Sequence, residues 1–360
     1  MKILSKEEVK NYESIRNFVV KDDDVYYGFF RKERGILKSY GKIVSISIND
    51  FIEKDEKLIY STIRFKYKNS IRKSILRVSK KKESLVFDLY IISHKGFQRI
   101  SIDKSFSYHI FEEIVKIYTQ NPITLKESTL TLVEAIMPSA ILEWFKKLAV
   151  VYLDLDEELE FIPFELLFDK YNIVFKRIKS KSEKKNFFIK KILIISNGWD
   201  SNFSYTVEES IKITKFFGKN FYIDFFSQKL DIKEFFSLVS GCDMLYISTH
   251  ANGEKGIDLG NFYLDDEIVK SLPEVPKFVF INTCFFDRLD LLVEEFLRKG
   301  TNSLICSYFK VPDSFQTRFF VNNFFFTFSR TFDLDLSTFV AMKISSKHKH
   351  YNHLLYRIFV

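Results

Sequence analysis

His250 and Cys284 are the residue types from which a thiol nucleophile and its base are built, and each ends an apolar run. Met244-Leu245-Tyr246-Ile247-Ser248-Thr249-His250 and Lys277-Phe278-Val279-Phe280-Ile281-Asn282-Thr283-Cys284 read as buried strands. If they are parallel neighbours, an imidazole sits beside a thiol at one edge of a sheet. The imidazole takes the thiol proton, the thiolate attacks a carbonyl carbon, and the imidazolium protonates the leaving group. That pair is the minimum equipment of a cysteine peptidase. The 34 positions between them hold a loop, a short segment at 265–272 and a return strand, and right-handed crossover logic makes the strands neighbours. Cys284 also starts a loop into a helix expected at 289–299, where backbone N–H groups suit an oxyanion.

A lone His is usually structural, and a lone Cys is usually a small buried hydrophobe. Equivalent placement at two strand ends sets this pair apart. Cys242, in a turn before a strand, and Cys306, inside an apolar run, have no His at a matching position and read as structural.

The elements that must position the pair run from about 149 onward. Apolar strands are expected at 192–196, 221–226, 244–249, 278–283 and 303–308, alternating with helices at 207–217, 232–239, 289–299 and 315–330. A Gly-rich loop is expected after His250. Such alternation implies a parallel sheet covered on both faces, with ligands bound beyond the carboxyl ends of its strands. Ahead of these, 149–155 and 160–162 read as a hairpin around Asp156-Glu157-Glu158, followed by a short helix opened by Pro163. Helical patterns lie at 105–118 and 128–148, the second split by Pro138. From about 15 to 100 the chain reads as an antiparallel sheet, with strands at 25–30, 57–67 and 84–92. The domain reading is a β-rich region at 1–125 and an α/β domain at 126–360, its core about 149–345.

Composition sets the class. A chain of 360 residues, 17% aromatic and holding 41 Phe, is packed and globular. No leader-like apolar stretch opens it, and no apolar run reaches the roughly 18 residues of a membrane span. Three cysteines without a framework spacing point to a reducing cytosol. The expectation is a soluble, cytoplasmic protein with no membrane span. The net charge of +8 comes largely from lysine. The basic run at 64–82 alternates with apolar residues as a solvated sheet face does, and the run at 176–185 reads as a surface linker. No nucleic-acid motif accompanies them, which argues against nucleic acid as a direct ligand. Metal-spaced Cys/His clusters and Gly-rich phosphate loops are absent from the sequence, so no cofactor or metal is expected. His348, His350 and His353 read as a surface tail.

From about 149 to 343 the chain resembles the CHAT peptidases, relatives of caspases and separase. Val151-Tyr152-Leu153-Asp154 with Leu159-Glu160-Phe161-Ile162-Pro163-Phe164-Glu165-Leu166-Leu167 is similar to that family's hairpin and "PFEAL" segment. Val207-Glu208-Glu209-Ser210 resembles the helix after its first strand. The runs ending in His250 and Cys284 resemble the catalytic-His strand and the "LSAC" strand. The segment 297–305 with Val311-Pro312-Asp313 is similar to its "GA.SVV" strand and "W.V.D" turn. The resemblance implies a caspase-like, mostly parallel sheet flanked by helices on both faces, preceded here by an unmatched β-rich region. It also implies a cysteine endopeptidase in which Cys284 is the nucleophile, His250 the base, and the N–H groups of Ala251 and Cys284 the oxyanion donors. The family usually carries Gly where Ala251 stands, and Ala resists positive φ.

By the same resemblance Asp313 is a candidate selector for a basic residue before the scissile bond, with Asp258 and Asp287 further pocket candidates. A helix cap is the alternative role for Asp313. Family members are held inactive until a protein partner or a cleavage releases them, and several serve bacterial defence, including CRISPR-linked systems. Expected partners are therefore a protein substrate and an activating or inhibitory protein. The alternative from another class is a catalytically silent caspase-like interaction module.

Overall fold

A computed structural model describes residues 14–21, 24–33, 36–47, 71–82, 84–93, 96–105, 126–179, 189–197, 199, 204–218, 221–284, 286–309, 315–348 and 356–360. Strands β1 (Ser14–Lys21), β2 (Asp24–Glu33) and β3 (Ile36–Ser47) form one antiparallel sheet. Next come β4 (Ile71–Lys81), β5 (Ser84–Ser93) and β6 (Gly96–Ser105), then helices α1 (Lys126–Ile136) and α2 (Ser139–Phe145), with Pro138 between them as expected. Strands β7 (Val150–Leu155) and β8 (Val174–Arg177) bracket short helical turns at Glu157–Leu159, Phe164–Leu167 and Phe168–Tyr171.

The alternating part follows. It runs β9 (Lys191–Ser196), α3 (Ser204–Phe217), β10 (Tyr222–Phe226), α4 (Ile232–Val239) and β11 (Met244–Ser248). After a small insertion of β12 (Ala251–Asn252), β13 (Gly256–Asp258) and β14 (Tyr263–Leu264) come α5 (Asp266–Ser271), β15 (Phe278–Asn282), α6 (Leu289–Arg298) and β16 (Ser303–Ser307). Helices α7 (Phe315–Thr331) and α8 (Leu334–Lys347) and strand β17 (Tyr356–Phe359) complete it. Asp231, Asp265 and Asp333 fix where α4, α5 and α8 begin, each carboxylate accepting a first-turn backbone N–H.

One 11-stranded sheet organises the described residues, in the order β10-β9-β11-β15-β16-β17-β8-β7-β4-β5-β6. Its centre is parallel: β9, β10, β11, β15 and β16 point the same way, and β11 is flanked by β9 and β15. This is the mostly parallel α/β sheet with helices on both faces that the sequence implies. β4, from the earlier part of the chain, pairs parallel with β7 in this sheet.

Three apolar layers hold it. On one face α3, α7 and α8 pack against Met244, Tyr246, Phe278, Phe280 and Ile305. The Phe-rich α7 supplies Phe324, Phe325 and Phe328, which meet Phe278, Phe280 and Tyr246 at ring-centroid distances of 5.1–6.1 Å. On the other face α4, α5 and α6 cover Leu245, Ile247, Val279 and Ile281. A third layer, from α1, α2 and the turns after β7, covers Leu76, Phe87, Leu89 and Val151. In β4, Leu76 and Val78 are buried while Arg77 and Lys81 are exposed, the solvated basic face expected for that part of the run.

Three expectations are corrected. The segment 149–162 is not a hairpin: β7 lies between two parallel neighbours, β4 and β8, and Glu157–Leu159 is a helical turn. Lys176 and Arg177 are not linker residues but buried members of β8, tolerated because carboxylates neutralise them. The chain after His250 is not only a loop: it folds into the three-stranded insertion. Beyond the three histidines of the expected surface tail, β17 is buried and pairs antiparallel with β16 and parallel with β8. His348 is exposed at the end of α8. The expected strand at 57–67, the expected helix at 105–118, residues 180–188, and Asp313, His350 and His353 lie outside the described residues.

Candidate active site

Strand register places the two chemistry-bearing residues. β11 and β15 are hydrogen-bonded parallel neighbours whose last register partners are Ser248 and Asn282. His250 and Cys284 each follow two residues later, beyond the carboxyl ends of adjacent strands. Both are half-buried. Neighbouring strands lie about 4.8 Å apart, so the two residues leave the sheet from adjacent points.

The backbone around each is tied down. The His250 carbonyl accepts the Asp258 N–H at 2.9 Å and the Thr249 hydroxyl at 3.0 Å. The Cys284 carbonyl accepts the Thr283 hydroxyl at 3.1 Å, and the Thr283 carbonyl accepts from Ser307 at the end of β16. The two outgoing loops are clasped together, since the Asp287 N–H donates to the Gly253 carbonyl at 2.9 Å.

The remaining expected site residues fall as follows. Ala251 opens β12, paired with Ile257, and is not among the residues of positive φ, so the strain that would favour Gly there does not arise. Asp258 lies in β13 beside the His250 carbonyl, and its carboxylate accepts the Gly260 N–H at 2.7 Å. Asp287 is exposed in the loop after Cys284. The structure thus gathers Ala251, Asp258 and Asp287 on the two loops leaving His250 and Cys284.

A buried polar set lies directly beneath. Asn282 Nδ2 donates to Glu209 Oε1 at 2.9 Å and lies 3.2 Å from Ser248 Oγ, and Asn282 Oδ1 accepts the Tyr356 hydroxyl at 2.6 Å. The Tyr246 hydroxyl also donates to Glu209. Glu209, on α3, is 2% exposed. In the sequence Glu209 stands out only within a segment that carries the resemblance, and Asn282 and Tyr356 do not stand out. A signal existed: Glu209 shares the helical stripe of Ile213 and Phe217, and Ser248 and Asn282 are polar residues within apolar runs.

The other thiols are set apart by burial. The Cys242 thiol donates to the Met244 carbonyl at 2.8 Å, and burial pushes it up to about 12. Cys306 is fully buried in β16, and burial raises its thiol further above the ordinary range.

A second polar cluster binds the "PFELL" segment to β8 and β17. Arg177, fully buried, donates to Glu165 at 2.8 and 2.9 Å, to Glu160 Oε2 at 3.0 Å and to the Ile162 carbonyl at 2.7 Å. Arg357 stacks on Tyr308, 3.5 Å from the ring centroid, and donates to the Glu160 carbonyl at 3.0 Å. Burial pushes the Glu165 carboxyl up, but the guanidinium groups of Arg177 and Arg357 outweigh it and hold the group below its ordinary value. Tyr308 in turn donates to Asp290 in the first turn of α6 at 2.6 Å, fixing the chain just after β16. Among the described residues no group of three or more His, Cys, Asp or Glu gathers as a metal site, and no helix is long and apolar enough to cross a membrane.

Neither a protein-family model nor a curated protein matches the sequence. Solved structures do. Separase in the Saccharomyces cerevisiae separase–securin complex matches with a TM-score of 0.55 at 8% identity, covering 88% of this chain and 31% of that one. The pro- and mature domains of Porphyromonas gingivalis RgpB match with a TM-score of 0.45 at 12% identity over 63% of this chain and 69% of that one. The Arg-specific cysteine proteinase gingipain R gives 0.44 at 12% over 68% and 74%. At such identities the likeness is one of fold, and it is carried by the separase match: a caspase-like sheet with its flanking helices.

Proposed function

We propose that this chain, on a caspase-like fold, is a cysteine endopeptidase with Cys284 as nucleophile and His250 as its acid–base partner. The observation that carries the reading is the β11–β15 register, which sends the two residues off adjacent parallel strands at the same height. Asp287–Gly253 and Asp258–His250 backbone hydrogen bonds support it by holding the two loops together.

The chemistry follows from the residue types. His250 accepts the Cys284 thiol proton, and the thiolate adds to the scissile carbonyl. The N–H groups of Ala251 and Cys284 receive the oxyanion. Collapse of the tetrahedral adduct breaks the C–N bond, and the imidazolium protonates the departing amine. Water, deprotonated by His250, then hydrolyses the thioester and frees the thiol.

Asp258 and Asp287, on the two loops leaving the pair, give the surroundings an acidic cast that suits a basic residue before the cleaved bond, and Asp313 is a selector by the CHAT resemblance alone. The chain is a regulated effector, held or released by a protein partner, a reading in keeping with the securin-bound state of the separase it resembles in fold. A role in bacterial defence rests on the CHAT resemblance alone.

The test is cleavage of a peptide library by the full chain, co-expressed with its neighbouring gene products, with new termini read by mass spectrometry. Cutting after Arg or Lys that disappears in both Cys284→Ala and His250→Ala is expected. Cleavage that survives Cys284→Ala overturns the assignment, and cutting confined to Asp overturns the selector.

A further inference from the structure

Beneath His250 and Cys284 the sheet breaks its apolar rule. Apart from the Tyr246 hydroxyl, β11 and β15 are otherwise filled by apolar side chains such as Leu245, Ile247, Val279 and Ile281, all fully buried. At the last paired level stand Ser248 and Asn282 instead, and one helix of the covering layer turns a carboxylate, Glu209, into that level. β17, on the far side of β16 from β15, adds a phenol from Tyr356.

We propose that Glu209, Asn282 and Tyr356 are positioning residues, a buried hydrogen-bonded set that fixes the strand ends carrying His250 and Cys284. The proposal deepens the peptidase reading and rests on Cys284 being its nucleophile.

The geometry uses both ends of a single amide. Asn282 Nδ2 points to Glu209 Oε1 at 2.9 Å and lies 3.2 Å from Ser248 Oγ and 3.4 Å from the Tyr246 hydroxyl. Its Oδ1 takes the Tyr356 hydroxyl at 2.6 Å. A carboxylate offers only acceptors, so the NH2 group faces Glu209 and the amide has one admissible orientation. That orientation locks β11, β15, β17 and α3 together at a level two residues below the reacting pair.

Stability alone does not call for this set. Apolar side chains of matching volume in place of a buried polar group are often neutral or stabilising. What a saturated polar set provides is a unique arrangement, because each member fixes the next. Here the fixed level is the one from which both side chains depart. The set is also within electrostatic reach of the thiol. Burial, then the charge of Glu209, then that of Cys284, keep the Tyr356 hydroxyl protonated far above the ordinary phenol range, so it remains a donor.

The test uses the full-length chain and iodoacetamide, with alkylation at Cys284 followed by mass spectrometry across pH 5–9. Tyr356→Phe removes one hydroxyl and keeps the ring packed on Phe280 and Phe320. Glu209→Gln keeps the shape and removes the charge. The expected result is melting close to wild type, with Cys284 alkylation slowed about tenfold or more and its pH profile displaced, since small misplacements of reacting groups cost up to about a hundredfold. Peptide cleavage should fall in kcat with KM little changed. Folded variants whose alkylation rate and pH profile stay within twofold of wild type overturn the proposal and leave a structural polar set. A wild-type Cys284 that reacts no faster than cysteine in an unfolded peptide overturns the nucleophile reading itself, and this proposal with it.

Discussion

Ser248 and Asn282 face each other across β11 and β15, the hydroxyl of one 3.2 Å from the amide nitrogen of the other. The candidate site is arranged from that pair. Two residues further along, one strand delivers an imidazole and the other a thiol, and the chain then leaves the sheet on both sides.

Thiol selectivity is the first consequence. Cys284 is half-buried, whereas Cys306 is fully buried and Cys242 is buried, donating to the Met244 carbonyl. Burial pushes Cys242 up to about 12 and Cys306 higher, so neither forms thiolate near neutrality. Limiting iodoacetamide at pH 7.5 should label Cys284 before either of the others, as peptide mapping reads directly. Earlier labelling of Cys242 or Cys306 would contradict the burial pattern.

How far this was legible depends on where the stabilising partner lies. The run Ile192-Leu193-Ile194-Ile195 declares a buried strand by itself, and α4 occupies the expected 232–239 because Asp231 marks its start. β17 is not legible because Tyr356-Arg357-Ile358-Phe359 places a cation inside a four-residue strand. Arg357 is admitted by the Tyr308 ring, by carbonyls of Glu160 and Phe161 and by the Glu165 carboxylate, all remote in sequence. Lys176 and Arg177 look like linker residues for the same reason, since their partners Asp335 and Glu165 decide their burial. At the site, His250 and Cys284 were legible as types ending apolar runs. The set beneath was not, because Glu208 and Glu209 differ only in phase. Glu208 is exposed and pairs with Arg318, while Glu209 falls on the stripe of Ile213 and Phe217.

The Arg177–Glu165 pair carries a large stability effect. Arg177 is fully buried, and its loss leaves the Glu165 carboxylate, 5% exposed, with its chief partner gone. Breaking a buried pair from one side costs about 3–5 kcal/mol. Arg177→Met should therefore lower the urea midpoint strongly, and Arg177→Met combined with Glu165→Leu should recover much of it. A single variant as stable as wild type would show that Arg357 alone satisfies Glu165.

Acid sensitivity follows from the same carboxylate. The Glu165 carboxyl is held below its ordinary value in the folded chain, although burial opposes this, because Arg177 and Arg357 favour the charged form. A depressed carboxylate contributes stability above its unfolded pKa, about 4.3, and that contribution fades as pH falls toward the folded value. Urea midpoints from pH 7 down to 3 should show Glu165→Gln destabilised at neutral pH and converging on wild type in acid, where the wild-type carboxyl is itself protonated. Parallel curves across that range would remove Glu165 as a source of acid unfolding.

The insertion after His250 offers a last test, through two glycines with opposite demands. Gly256 has φ +110°, and a Cβ there would lie 2.5 Å from the Leu264 carbonyl oxygen. Gly253 has open space within 4 Å of an added Cβ and no positive φ. Gly256→Ala adds backbone strain of about 1–3 kcal/mol and pushes β13 off β14. Because Asp258 in β13 donates its N–H to the His250 carbonyl, that shift reaches the backbone of His250, the proposed partner of Cys284. Gly256→Ala should lower the melting temperature and slow Cys284 alkylation together, while Gly253→Ala should change neither by much. Equal behaviour of the two variants in calorimetry and alkylation would mean that the insertion does not hold the His250 backbone in place.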